Sequence, residues 1–128
     1  RLMKQAYAAA DAPEDRLIAL GEAYSQLGLE NPLHYRLMFM ERGEFLQRKP
    51  PDGFEAPIES FALLLQTVTE CVEAGVFKPG DPMVYATAIW SLVHGLVALA
   101  LTNPFVSRES LASIKEAAIN MVLEGLGI

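Results

Sequence analysis

Few residues in this chain are equipped for catalysis or metal binding. There are two histidines, His34 and His94, and one cysteine, Cys71. A di-iron bundle places a Glu three positions before a ligating His, so that both side chains reach the metal from one helix face. Asn31 and Ser91 stand at those positions here. Zinc needs several Cys, His or carboxylate donors held together, and this chain offers too few. No G-x-S-x-G elbow, H-E-x-x-H helix, Walker loop or G-x-G-x-x-G turn occurs. Ser, His and Asp are present, but no local context assembles them into a nucleophile and its base. The expectation is a protein that is not an enzyme, binds no metal and needs no cofactor. Cys71 reads as a small buried hydrophobe on a helix. With no second cysteine there is no disulfide framework, and a reducing, cytoplasmic compartment fits.

His94 carries more information. At helical spacing it shares a face with Thr87, Trp90, Val97 and Leu101. Two readings stand side by side. It is either a buried histidine satisfied by a neighbouring polar group, or the polar anchor of an apolar ligand cavity, since such cavities are mainly hydrophobic with a few placed polar groups. On the second reading Tyr24, Tyr35, Met38, Phe39, Phe61 and Leu65 wall the cavity together with Trp90 and His94. An aromatic and Met set at this spacing more often describes plain core.

Pro, Gly, Asn and Asp punctuate the chain into helices, with no strand-like alternation. Residues 1–10 are Ala-rich and read as the end of a helix that begins upstream. Asp11 with Glu14 predicts a capping box opening a second helix, whose apolar face is Leu17, Leu20, Tyr24 and Leu27 and which stops between Gly28 and Asn31. Asn31-Pro32 restarts the chain as a short helix, "PLHYRLMFM". Residues 43–53 have loop chemistry. From 55 to 75, Ile58, Phe61, Leu64, Leu65, Val68 and Val72 predict one buried face, with Glu59, Gln66, Glu70 and Glu73 turned away, and Gly75 suits the C-terminal cap. Asp81-Pro82 opens the next helix and Asn103-Pro104 ends it. Ser107 caps the last, in which Leu111, Ile114, Ala118, Met121, Val122 and Gly125 form a broad apolar stripe and Ser113, Glu116, Asn120 and Glu124 a polar strip. The pattern predicts an all-α bundle of about five to six helices.

A chain of 128 residues makes one domain, and by surface scaling roughly two thirds of its unfolded surface can be buried. Its hydrophobic content of 52% is high and its charged content of 20% low, so some apolar surface needs a further destination. Residues 83–102 contain no Asp, Glu, Lys or Arg, a run long enough to cross a bilayer. Ser91, His94, Gly95 and two threonines dilute it, and no Lys/Arg cluster flanks it, which favours a helix buried on every side in a soluble bundle over a membrane span. Ten basic against sixteen acidic residues give a net charge of −6. That balance offers no footprint for a phosphate backbone, so this chain alone should not grip nucleic acid.

The stretch "AIWSLVHGLVALAL", preceded by "EAGVFKPGDP", resembles the Trp-x-x-x-His-Gly helix of a C-terminal domain in the tetracycline-repressor (TetR) family of transcriptional regulators. "RLIALGEAYSQLGLENPLHYRLMFM" is similar to the opening of that domain. The likeness runs from about Asp11 to Leu101. It implies a ligand-sensing and dimerisation domain over residues 11–128, with residues 1–10 as the tail of the helix leading from an N-terminal helix-turn-helix that lies outside these residues and reads DNA. It further implies a homodimer whose last two helices form a four-helix interface, and a repressor released by a small apolar effector. The family's pocket residues vary with the effector, so none is carried over by motif.

At about 100° per residue, Ala88, Ser91, Gly95, Ala98 and Thr102 fall on one narrow face of residues 83–102, away from Trp90 and His94. Small side chains permit close approach, and Leu111, Ala118 and Val122 of the last helix are the expected matching surface. The rival readings are a helical enzyme and a partner-binding or membrane-associated module with no link to DNA.

Overall fold

The structure is a computed structural model and describes residues 2–35, 57–103 and 106–127. Six helices occur among them: α1 (Leu2–Ala8), α2 (Pro13–Glu30), α3 (Pro32–Tyr35), α4 (Pro57–Glu73), α5 (Pro82–Thr102) and α6 (Arg108–Leu126). No strand does, and the all-α bundle foreseen from the punctuation is the fold. Met38, Phe39 and the loop expected at residues 43–53 lie outside the described residues.

Helix boundaries follow local chemistry with one correction. Asp11 does not cap α2. Ala12 holds the cap position and, with no polar side chain, makes no cap hydrogen bond, and Pro13 follows in the first turn. Glu14 and Asp15 in the first turn complement the helix dipole instead. At the other end Asn31 closes α2 through its backbone N–H and its side-chain Nδ2, both donating to the Leu27 carbonyl at 3.1 Å. Asp81 caps α5 as expected, accepting from the Met83 N–H at 2.9 Å. Ser107 and Ser110 cap α6 reciprocally, each side chain bonding the other's backbone N–H.

α4 ends where Gly75 takes a φ of +74°. That left-handed turn lets the N–H groups of Val76 and Phe77 both reach the Cys71 carbonyl, at 3.0 and 3.1 Å, and drops the Phe77 ring into the core. Lys78 N–H then donates to the Leu126 carbonyl at 2.7 Å and Lys78 Nζ to the Gly125 carbonyl at 3.1 Å. The C-terminal end of α6 is thereby sewn to the turn after α4.

Two apolar clusters form the core. Leu17, Leu64, Val68, Cys71, Phe77, Ala86 and Ile89 make one; Met3, Leu20, Tyr24 and Val97 make the other, nearer α1. Trp90 and Val93 touch both. The buried arc of α4 differs from the expected one: Ser60 and Thr67 are buried beside Leu64, Val68 and Cys71, while Ile58 is 70% exposed. Hydrophobicity alone points round the helix toward Ile58, whereas packing against α2 and α5 fixes the arc on Ser60–Leu64–Thr67–Cys71. The Thr67 hydroxyl tolerates burial by donating to the Leu63 carbonyl at 2.8 Å.

α5 is not buried on every side. Only 17% of its most apolar window is covered, and Val84 and Leu99 are 61% and 53% exposed. Ala86, Ile89, Val93 and Val97 face α2 and α4, and the opposite side meets nothing among the described residues. α6 likewise leaves Met121 69% and Ile114 40% exposed. The described residues supply neighbours for one side of each of these helices only.

Candidate functional site

Trp90 projects from the middle of α5 into the space between α2 and α4, and an aromatic cluster forms around it. Its ring lies 4.8 Å from Tyr24, 5.3 Å from Phe61 in edge-to-face contact, and 4.6 Å from His94, which also meets Tyr24 edge-on at 5.3 Å. Tilted and edge-on contacts at these distances are the favourable arrangements for such rings. Four of the eight residues expected to wall a cavity are therefore brought together from three helices. Leu65 packs on the neighbouring cluster. Tyr35 ends α3, and Met38 and Phe39 fall outside the described residues. A cavity of about 20 Å³ adjoins the cluster, lined by Met3, Leu20, Tyr24, Leu64 and Trp90 among others. That is room for about one water, so the rings are close-packed here.

Burial lowers the His94 pKa to about 4. The imidazole is neutral at physiological pH and offers one ring N–H donor and one acceptor to whatever meets it. Burial also pushes the Cys71 thiol up to about 11, reinforced by the nearby Glu14 and Glu70 carboxylates. The thiol is fully enclosed, and as expected it behaves as a small hydrophobe rather than a nucleophile.

A second constellation was not foreseen. Glu70, expected on the solvated side of α4, receives the Tyr7 hydroxyl from α1, and its other oxygen takes Arg16 Nη1 from α2 at 3.2 Å. Arg16 also donates to the Tyr7 hydroxyl at 3.1 Å and, through Nε, to the Ala10 carbonyl at 2.9 Å, with its guanidinium carbon 4.2 Å from the Tyr7 ring centre. Gln66 Nε2 donates to the Tyr7 hydroxyl at 3.2 Å. Desolvation, the largest single influence on Glu70, raises its pKa, but the hydrogen bonds from Tyr7, Arg16 and Gln66 and the Arg16 charge together outweigh it, and the net shift is downward. Tyr7 moves up, chiefly through its bond to that carboxylate. Three helices meet in this one polar knot, which fastens α1 to the body of the bundle.

The expected partner-facing stripe divides. On α5, Ala88, Ser91, Gly95 and Thr102 are exposed and Ala98 is half-buried, opposite the core-facing side. A side chain added at Gly95 would meet no atom within 4 Å, so packing within the subunit does not require glycine there. On α6, Ala118 and Val122 line a cleft facing α2, and Leu111 lies two turns before Ala118 on the same side by helical spacing. The outward apolar residues are Ile114 and Met121. The α6 stripe is wide, and Ala118 and Val122 are on the part of it that faces α2.

A family model described as the tetracyclin repressor-like, C-terminal domain matches residues 17–122. The chain belongs to that family. The match spans α2 to most of α6, so the TetR-type domain includes the aromatic cluster, the cleft and the exposed side of α5. Comparisons with curated proteins and with solved structures each found no match. α5 is by length and composition also able to cross a membrane, a property that core and interface helices share.

Proposed function

We propose that this TetR-type domain is the effector-sensing and dimerising part of a DNA-binding transcriptional regulator, with α1 continuing from a DNA-reading domain and a small, largely apolar molecule releasing the protein from DNA as a repressor. One observation carries the reading: α5 bears both surfaces. Trp90 and His94 enter the aromatic cluster from one side, while Ala88, Ser91, Gly95 and Thr102 lie open on another. A ligand that parts the rings of Tyr24, Phe61, Trp90 and His94 displaces the helix on which a partner subunit rests. It also bears on α1, because Met3 packs with Tyr24 and the Tyr7–Arg16–Glu70 knot ties α1 to α2 and α4. The ligand shifts the equilibrium by its differential affinity for the released arrangement over the DNA-competent one.

The open side of α5 is suited to burial in a two-fold interface. The hydroxyls of Thr87, Ser91 and Thr102 donate to carbonyls one turn back, at 2.7, 2.8 and 2.7 Å, so no hydroxyl proton is stranded when water leaves. Together with Ile114 and Met121 of α6, the stripe completes a four-helix interface between two copies. Sedimentation tests this. The chain is expected to be dimeric at micromolar concentration, and Ser91→Glu, which buries an unpaired charge at the interface, is expected to make it monomeric while the helical circular-dichroism signal stays unchanged. A monomeric wild type, or a dimeric Ser91→Glu variant, overturns the assignment.

A further inference from the structure

Between α2, α5 and α6 lies an apolar cleft separate from the aromatic cluster. Leu17, Ile18, Leu92, Leu96, Ile119 and Leu123 form much of its wall. Its cavity volume is about 70 Å³ and its mouth is open to solvent. That is about half the roughly 150 Å³ that encloses a benzene ring, so a narrow unbranched chain enters only in part and otherwise lies along the open groove. Three lining residues are polar: Ser25, which is 3% exposed, and the ion pair of Glu22 on α2 with Lys115 on α6, 2.8 Å apart.

The two charges are not equivalent. The Lys115 side chain is 24% exposed and the Glu22 side chain 49%, so the carboxylate is the more easily released to water. An incoming carboxylate replaces Glu22 on Lys115 and leaves the half-buried lysine paired. An incoming ammonium would have to draw Glu22 away and leave Lys115 without its partner at the rim of an apolar cleft. We propose that this cleft binds a linear aliphatic monocarboxylate, its chain along the Leu17–Leu92–Ile119 walls and its carboxylate on Lys115 in place of Glu22.

The site is placed to matter. α6 is sewn down at its C-terminal end by Lys78, while Glu22–Lys115 is the one ion pair holding its middle to α2 among the described residues. Leu17, Gly21, Ile89 and Val93 line both this cleft and the small cavity beside Trp90, so an occupied cleft presses on the wall of the aromatic cluster and frees α6 to tilt. That consequence rests on the sensor reading above; binding itself does not.

Octanoate, octanol and octylammonium, each titrated into this chain by calorimetry and thermal unfolding, form the test. Octanoate is expected to raise the melting temperature by mass action and to bind roughly tenfold or more tighter than the other two, the difference that one well-paired charge makes. Lys115→Met is expected to erase that preference. Gly21→Leu fills the floor of the cleft, where an added Cβ meets no atom within 4 Å, and is expected to abolish binding with the fold retained. Should Gly21→Leu fail to fold, nuclear Overhauser contacts between octanoate methylenes and the methyls of Leu92 and Ile119 in the wild type take its place. Equal binding of the three probes, tightest binding of octylammonium, a preference that survives Lys115→Met, unchanged binding in a folded Gly21→Leu variant, or no such contacts would each overturn the proposal. Sedimentation of the ligand-free chain reads the dimer separately, so the failure of either reading leaves the other standing.

Discussion

His94 and Glu70 show how one environment sets a charge and another spends it on structure. The His94 pKa is lowered to about 4 by desolvation, against about 6.5 in an unfolded chain. Between those values the unfolded chain takes up a proton that the native one refuses, so stability falls as pH drops through the window. Its contribution is fully present above pH ~6.5 and lost by pH ~4, a loss of about 3 kcal/mol. Urea unfolding of wild type and His94→Gln at stepped pH checks this: the variant is expected to lack that slope. Glu70 is displaced downward, so what it contributes is present above the ordinary glutamate range and lost as pH falls through its native value. Glu70→Gln removes the charge that Arg16 and Tyr7 share and is expected to cost roughly 1–3 kcal/mol. Faster amide exchange in α1 than in α5 should accompany that loss, whereas uniform acceleration across the domain would mean that the knot does not specifically hold α1. The sequence placed His94 correctly on the inner side of its helix. It placed Glu70 off the apolar face, where the side chain is still 26% exposed, but missed its partners, because a carboxylate in an amphipathic pattern reads as solvated unless Tyr7 and Arg16 are known to arrive from other helices.

Helix ends were legible wherever a single residue decides them. Asp81 and Ser107 cap because a short polar side chain reaches the free N–H groups of the first turn, and Gly75 stops α4 because its left-handed φ suits a residue without a Cβ. Asp81→Ala is therefore expected to cost about 1 kcal/mol, and Gly75→Ala a similar amount, roughly 1–2 kcal/mol, through backbone strain. Equilibrium denaturation measures both, and a neutral Asp81→Ala would show that the Met83 N–H needs no side-chain acceptor. Helix faces were harder. On α4 the buried arc includes Ser60 and Thr67 and leaves out Ile58, a result set by which neighbours pack there. On α6 the apolar stripe covers more than half the circumference, so composition could not say that Ala118 and Val122 turn inward while Ile114 and Met121 turn out.

For the molecule as a whole, charge and exposed apolar surface act at different ranges. With a net charge of −6 and no basic stripe, the chain is expected not to retard duplex DNA in a gel at physiological salt, and sequence-specific retention would contradict that. The apolar excess visible in the composition does not disappear into the core of one subunit: much of it stays on the outer sides of α5 and α6, in keeping with an interface between copies. Composition and punctuation were enough to determine an all-α domain, because helix caps, breaks and periodicity are local and survive without knowledge of neighbours; the TetR type came from a family likeness, and the family model matching residues 17–122 shows it. Contacts between helices distant in sequence decided the rest. They alone close the rings of Tyr24, Phe61, Trp90 and His94 on one another, gather Tyr7, Arg16 and Glu70 into a knot, and open an apolar cleft beneath Lys115, since which sides of two helices meet depends on packing that no single helix encodes.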